Sequence, residues 1–200
     1  MKIDLFAHYP ALVPQQKALE QARELLIDTY ERGGKVLLCG NGGSAADCDH
    51  IAGELLKGFL SCRPITGELQ DALGDTLAGK LQRGLPTISL PSQGAVISAF
   101  CNDVDAETVY AQLTLALAKP GDALWCISTS GNSANVVQAA RAAKALGVRV
   151  VAMVGQEECA LDALADVVLH APATETYRVQ EYHLPMYHWL CAEVEGYFIG

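Results

Sequence analysis

The residues best suited to chemistry follow the first apolar strand, where a glycine-rich turn leads into a helix. Segment 35–39 runs into the Gly-Asn-Gly-Gly turn 40–43, and the pattern predicts a helix that opens at Ser44. A helix N-terminus binds phosphates and other anions. His50 and Glu54 follow four residues apart on one helix face, where they could act on a bound molecule. The alternative is a plain tight turn capped by Ser44, with a solvated His–Glu pair.

A second loop, rich in hydroxyls, occupies the same place relative to a later strand. The strand predicted over 123–127 is followed by the Ser-Thr-Ser-Gly-Asn-Ser loop 128–133 and a helix over 134–146. In an open parallel sheet the ligand crevice lies outside the carboxyl ends of the strands. Hydroxyls and helix N–H groups could surround a phosphate there without any cation. Capping and turn chemistry explain such a loop when it stands alone, but two such loops at one crevice favour binding.

Two further groups of polar residues could belong to the same functional site. Asn102-Asp103 is equally compatible with a simple turn. On the last helix, Gln180, Glu181 and His188 crowd together around Pro185. Ideal helical angles place Glu181, rather than Gln180, on the face of His188, but Pro185 removes a helical hydrogen bond and should kink the helix. Spacing alone therefore leaves the choice between Gln180 and Glu181 open.

Composition excludes several classes of function. The chain has 200 residues, half of them hydrophobic, and a net charge of −9, which disfavours nucleic acids and anionic membranes as partners. Seven cysteines without a C-x-x-C pair indicate free thiols in a reducing cytoplasm. We expect no signal peptide and no membrane span. The first turn matches neither G-x-G-x-x-G nor a P-loop, so no nucleotide cofactor is expected.

Strands that alternate with helices of ten or more residues predict an α/β fold with a parallel sheet covered on both faces. We expect a single domain over 1–200. The segment 64–85 is a long, poorly periodic insertion that could contain a short helix near 68–81. The other predicted elements are an N-terminal helix over 11–32, with its apolar stripe in 15–32, strands at 35–39, 87–90, 123–127, 148–154 and 167–169, and helices at 44–60, 94–101, 105–118, 134–146 and 178–198.

Taken together, the motifs 40–44, 102–103 and 127–133, with His50, Glu54, the Gln180-Glu181 pair and His188, resemble those of the sugar isomerase (SIS) family of phosphosugar-binding proteins. The closest resemblance is to its sedoheptulose-7-phosphate (phosphoheptose) isomerases. The motifs span nearly the whole chain in the expected order. The resemblance implies a three-layer, Rossmann-like fold with a five-stranded parallel sheet between helices. It also implies a homotetramer with active sites at subunit interfaces.

The resemblance further implies a role for each matching residue. Glu54 and His188 would transfer protons between the carbons and oxygens of a sugar phosphate. A zinc ion, where present, would be held by His50, Glu54, Gln180 and His188. Phosphate and sugar would be bound by Asn41, Gly42, Gly43, Ser44, Asn102, Asp103, Ser128, Thr129, Ser130, Ser133 and Gln180.

The chain departs from the family pattern on the sugar side of the site. An arginine commonly follows the catalytic glutamate by four residues, where this chain has Gly58 beside Lys57. Val104 and Asp105 replace the aromatic and glycine residues that often follow Asn-Asp, and segment 64–85 is longer than usual. The leading hypothesis is isomerisation of sedoheptulose 7-phosphate to a manno-heptose 7-phosphate. The alternatives are an isomerase of another ketose phosphate, or a non-catalytic adaptor of the kind that associates with a replication initiator; such adaptors typically lack the catalytic carboxylate.

Overall fold

One five-stranded sheet organises the chain in the computed structural model, which describes residues 3–199. The strand order is β2-β1-β3-β4-β5, and each pair of neighbouring strands is parallel. The five-stranded parallel sheet expected from the sequence is therefore confirmed. The strands are β1 Val36–Cys39, β2 Thr87–Ser89, β3 Ala123–Ile127, β4 Arg149–Val154 and β5 Val167–His170.

Helices cover both faces of the sheet, as the alternation of strands and helices predicted. Within residues 3–199, no helix is long and apolar enough to cross a bilayer. The helical elements are α1 Leu5–His8, a 3-10 helix Pro10–Gln15, α2 Gln16–Glu31, α3 Gly43–Leu56, α4 Glu68–Leu73, α5 Asp75–Ala78, α6 Gly94–Asp103, α7 Val109–Leu117, α8 Ala134–Ala145 and α9 Thr176–Ile199.

The alternation of side chains along the strands builds two cores. On β1, Val36 and Leu38 face a core that α2, α3 and α9 complete, and β3 adds Trp125 to it. Leu37 and Leu124 point to the opposite face and join the core under α7 and α8. This is the period-2 pattern of strands that are buried on both sides. It fixes the register of β1 and β3, whose carboxyl ends carry the two candidate loops.

Four predicted elements are corrected by the structure. The helix predicted over 105–118 begins only at Val109. The N-terminal helix predicted over 11–32 is a 3-10 helix followed by α2, since Pro14 has no N–H with which to continue an α-helix. The helix predicted over 44–60 ends at Leu56, because Lys57 adopts an extended conformation. The segment 64–85 contains two short helices instead of one, since Gly74 between them has a φ of +75°.

Candidate active site

The two candidate loops meet at the point where the strand order reverses. In the order β2-β1-β3-β4-β5 the chain runs outward in opposite directions from β1 and β3, and the crevice between their carboxyl ends is where such sheets bind ligands. Reciprocal amide hydrogen bonds of 2.8 and 2.9 Å join Asn41 of the first loop to Asn135 in the first turn of α8. The structure thus brings both loops to one crevice.

The backbone of the glycine turn 40–43 packs closely against β3. Gly42 caps α3 with a φ of +55°, a conformation that side chains rarely adopt. A Cβ on Gly40 would lie 2.9 Å from the carbonyl oxygen of Ile127, so the turn packs directly on β3. Ser44 lies buried inside the first turn of α3, and the interpretation of Ser44 as an N-cap is wrong. The turn leaves the N-terminus of α3 directed at the crevice.

The hydroxyls of the serine loop do not cap α8. Ser133 is the N-cap of α8, yet its side chain makes no capping hydrogen bond. Its hydroxyl lies 3.2 Å from that of Ser128, which is buried at the end of β3. The hydroxyl of the exposed Ser130 accepts a hydrogen bond from the Asn132 N–H at 3.2 Å. Helix capping therefore does not account for these hydroxyls, which with α8 form a cradle of the kind that suits a phosphate.

His50 and Glu54 lie beside His188 where α3 crosses α9. His50 Nε2 is 3.1 Å from Glu54 Oε1, and the rings of His50 and His188 have centroids 5.1 Å apart. The Glu54 side chain is 16% exposed, so one carboxylate sits in a largely desolvated position within reach of a ligand. Lys57 Nζ lies 4.0 Å from the other Glu54 oxygen. These contacts join a potential base and a potential proton carrier from two helices.

A hydrogen-bonded chain behind this cluster escaped the sequence reasoning. The Tyr187 hydroxyl lies 2.9 Å from His50 Nδ1 and donates to Asp47 Oδ1 at 3.3 Å. Two signals were present in the sequence. Asp47 shares a helix face with His50 and Glu54, and Tyr187 directly precedes His188 on an apolar helix, where a buried hydroxyl needs a partner.

The protonation of this cluster follows from its burial. Desolvation lowers the pKa of His188, and the nearby His50 lowers it further, against an opposing effect of Glu54. Desolvation also raises the pKa of Asp47, although the Tyr187 hydrogen bond and His50 oppose the shift. A neutral imidazole at position 188 can accept a proton and then pass it on, which is the property that a proton carrier requires.

Gln180 reaches the glycine turn, whereas Glu181 is exposed. A Cβ on Gly43 would lie 3.0 Å from Cδ of Gln180, so the amide rests directly on the N-terminus of α3. Helix α9 runs unbroken through Pro185 from Thr176 to Ile199. The structure thus places Gln180, and not Glu181, against the glycine turn, and a role for Gln180 at the site stays a prediction.

Asn102 and Asp103 make no hydrogen bond to the side chains of this cluster among residues 3–199. They end α6, and their side chains hydrogen-bond to each other at 2.8 Å. Within residues 3–199 neither side chain bonds to another candidate residue. A role for this pair at the site stays a prediction.

Comparison with known proteins identifies the family. The SIS domain model matches residues 10–155. A phosphoheptose isomerase from Crocosphaera subtropica is 40% identical over 180 residues, 90% of this chain and 82% of the relative, and one from Helicobacter pylori strain P12 is 38% identical over 98% and 94%. The chain belongs to the phosphoheptose isomerase family of SIS-domain proteins. The solved phosphoheptose isomerase of Neisseria gonorrhoeae superimposes on this SIS-domain chain with a TM-score of 0.76 and 30% identity, over 95% of this chain and 96% of the other.

Proposed function

We propose that this SIS-domain chain is an aldose–ketose isomerase that converts sedoheptulose 7-phosphate to D-glycero-manno-heptose 7-phosphate. The observation that carries the proposal is the crevice between β1 and β3. One chain combines a hydroxyl-rich loop at this crevice with a largely buried carboxylate and a histidine of lowered pKa where α3 meets α9, and this combination supports the proposal. Family membership supports the same reaction, since the relatives named above are phosphoheptose isomerases.

Binding is assigned first to the loops. Ser128, Thr129, Ser130 and Ser133, with the N-terminus of α8, bind the phosphate, because hydroxyls and N–H groups donate to its oxygens. Asn41, Gly42, Gly43, Ser44 and Gln180 line the sugar side, and we assign Asn102 and Asp103 to the same role, completed between subunits. With the phosphate held at one end of the sugar, the carbonyl end is positioned for proton transfer.

Proton transfer is then assigned to Glu54 and His188. The Glu54 carboxylate removes a proton from C1 of the ketose, and the electron pair of that C–H bond becomes the C1–C2 double bond of an enediol. The C2 oxygen gains a proton as its double bond to carbon opens. Return of the proton from Glu54 to C2, with loss of the O1 proton, produces the aldehyde. His188 carries the proton between O1 and O2, and a positioned group of this kind contributes about 10²–10⁴-fold.

His50, Glu54, Gln180 and His188 are proposed as ligands of zinc. If Tyr187 donates to Asp47, it accepts from the Nδ1–H of His50, and Nε2 then carries a lone pair that faces Glu54 at 3.1 Å. Such a contact calls for a proton or a cation between the two atoms, and a second group on Nδ1 is the usual support of a metal-bound histidine. Within residues 3–199 no three His, Cys, Asp or Glu side chains form a group that could hold a metal. Gln180 rests on Gly43, about 10 Å along α3 from His50. Bound zinc would polarise the substrate carbonyl.

We further propose a homotetramer in the cytoplasm. Helix α6 buries none of its residues although it is largely apolar, and Val96 and Val104 on this side are 45% and 67% exposed. Exposed apolar surface of this kind favours contacts between copies of the chain. All seven cysteines are free, which fits a reducing compartment.

The experiment is a direct assay of the purified protein against three ketose phosphates of different length: sedoheptulose 7-phosphate, fructose 6-phosphate and ribulose 5-phosphate. Product aldoses are identified by NMR. We expect the seven-carbon sugar to have the highest kcat/KM. A higher value for a shorter sugar would keep the isomerase and replace the substrate. No conversion of any sugar by the folded protein would contradict the proposal.

A further inference from the structure

We infer that Arg63 and Glu195 are positioning residues, which set the geometry of the catalytic pair through Phe59. The inference rests on the proposed roles of Glu54 and His188. It concerns a buried ion pair that none of the sequence motifs includes.

Glu195 anchors the chain just beyond α3. Its carboxylate accepts three consecutive backbone N–H groups, from Phe59 and Leu60 at 2.7 Å and from Ser61 at 3.0 Å. Glu195 is only 2% exposed and projects from α9, two turns beyond His188. A buried carboxylate with three charge-assisted hydrogen bonds holds its partners in one arrangement. Glu195 therefore ties segment 59–61 to α9, the helix that carries His188.

Arg63 ties the same assembly to the end of α3. Its Nε lies 3.5 Å from Glu195 Oε1, and the residue is 5% exposed. Its Nη2 donates to the backbone carbonyls of Leu55 at 2.8 Å, of Glu54 at 3.3 Å and of Lys57. These are the carbonyls that the end of a helix leaves without partners. One guanidinium thus fixes the last turn of α3, where Glu54 is found.

Phe59 transmits this arrangement to the catalytic histidine. Its ring stacks on the His188 imidazole, with centroids 5.6 Å apart and planes at 29°. The other rings around His188, those of His50 and Tyr187, meet it edge-on. Phe59 therefore covers one face of the imidazole. Because Arg63 and Glu195 hold the backbone at Phe59, they set the position of the His188 ring. Misplacement of a reacting group by about 1 Å costs on the order of 10²-fold in rate.

The test compares Glu195→Gln and Phe59→Leu with the control Glu193→Gln. Glu193 lies on the same helix and faces Arg23 at 3.7 Å, so its variant removes a carboxylate of α9 without touching segment 59–61. Each variant is assayed with sedoheptulose 7-phosphate well below its Tm. We expect kcat to fall about 10- to 100-fold in Glu195→Gln and Phe59→Leu, with KM changed less than about threefold. Phe59→Tyr, which keeps a ring on His188, should restore most of kcat, and Glu193→Gln should match wild type.

A second readout does not depend on activity. The His188 ring resonances carry the ring-current shift of Phe59, and we expect Glu195→Gln to move them toward their positions in Phe59→Leu while those of His8 stay fixed. If Glu195→Gln fails to fold, Glu195→Asp, which keeps the charge but shortens the side chain that holds segment 59–61, takes its place in both assays. Phe59→Leu and Phe59→Tyr, which leave the ion pair intact, separately test the contact with His188. Full kcat in Phe59→Leu, or His188 resonances that stay in place, would overturn the inference. A wild type without isomerase activity would instead refute the proposed function, and the resonances would still test the positioning.

Discussion

A buried histidine outside the catalytic cluster should make the stability of this protein depend on pH. His183 is fully buried in α9, with Nε2 3.2 Å from the Val154 carbonyl oxygen and no hydrogen-bond partner for Nδ1 among residues 3–199. Burial lowers its pKa from 6.5 to about 4, against a smaller opposing effect of the Val154 carbonyl. The folded protein thus keeps this imidazole neutral at a pH where the unfolded chain protonates it.

The sign and size of the effect follow from proton linkage. Between pH 6.5 and about pH 4 the unfolded state binds more protons at this position, so the free energy of unfolding falls as the pH falls. The slope for one group is about 1.4 kcal/mol per pH unit, which gives about 2 kcal/mol between neutral pH and about pH 5. Above about pH 7 neither state is charged here, and the contribution is constant.

The measurement is urea unfolding of wild type and His183→Leu at several pH values between about 5 and 8. Leucine removes the titrating group, and the Val154 carbonyl still accepts the Ala171 N–H at 2.8 Å. We expect the wild type to lose about 2 kcal/mol more than the variant on acidification, and the two pH dependences to run parallel above about pH 7. Equal losses in both proteins over the whole range would refute the reasoning.

Three further predictions concern the proposed site and assembly. Ser130→Asp places a carboxylate in the phosphate cradle, so KM for sedoheptulose 7-phosphate should rise at least about tenfold by repulsion, and an unchanged KM would remove the loop from phosphate binding. Protein purified without chelator should contain zinc that both His50→Ala and His188→Ala release, and zinc that survives both substitutions would contradict the assigned ligands. Light scattering should give the mass of a tetramer of 21.3 kDa chains, with Val96→Glu on the exposed face of α6 shifting it downward; a fully active monomer would contradict the assembly.

Local pattern was enough to predict most of the fold. Short apolar or β-branched runs placed all five strands, and the signal is strongest for the three central strands, because a strand buried on both faces is continuously hydrophobic. The same reasoning located both loops, since a strand, a turn and a helix follow one another directly in the chain. The two helices of segment 64–85 were not predicted correctly, because they are short, bury few residues and give only a weak periodic pattern.

The contacts that sequence could not predict join groups distant in the chain. Spacing alone did not separate Gln180 from Glu181, and the contact of Gln180 with Gly43 depends on the path of α9. The bonds from Glu195 to segment 59–61 join groups more than 130 residues apart and leave no trace in local spacing. A single Glu or Arg in an amphipathic stretch looks solvent-exposed until the fold buries it with a partner.

The central claim is that Glu54 moves a proton on the carbon of a ketose phosphate, and solvent exchange measures that step directly. Wild-type protein incubated with sedoheptulose 7-phosphate in D₂O should incorporate deuterium at C1 of the ketose or C2 of the product. Glu54→Gln should slow incorporation by about 10²–10⁴-fold while still binding phosphate. The control Glu181→Gln, which alters an exposed glutamate of α9, should exchange at the wild-type rate. Incorporation by Glu54→Gln at more than about a tenth of the wild-type rate would contradict the assignment of Glu54 as the base.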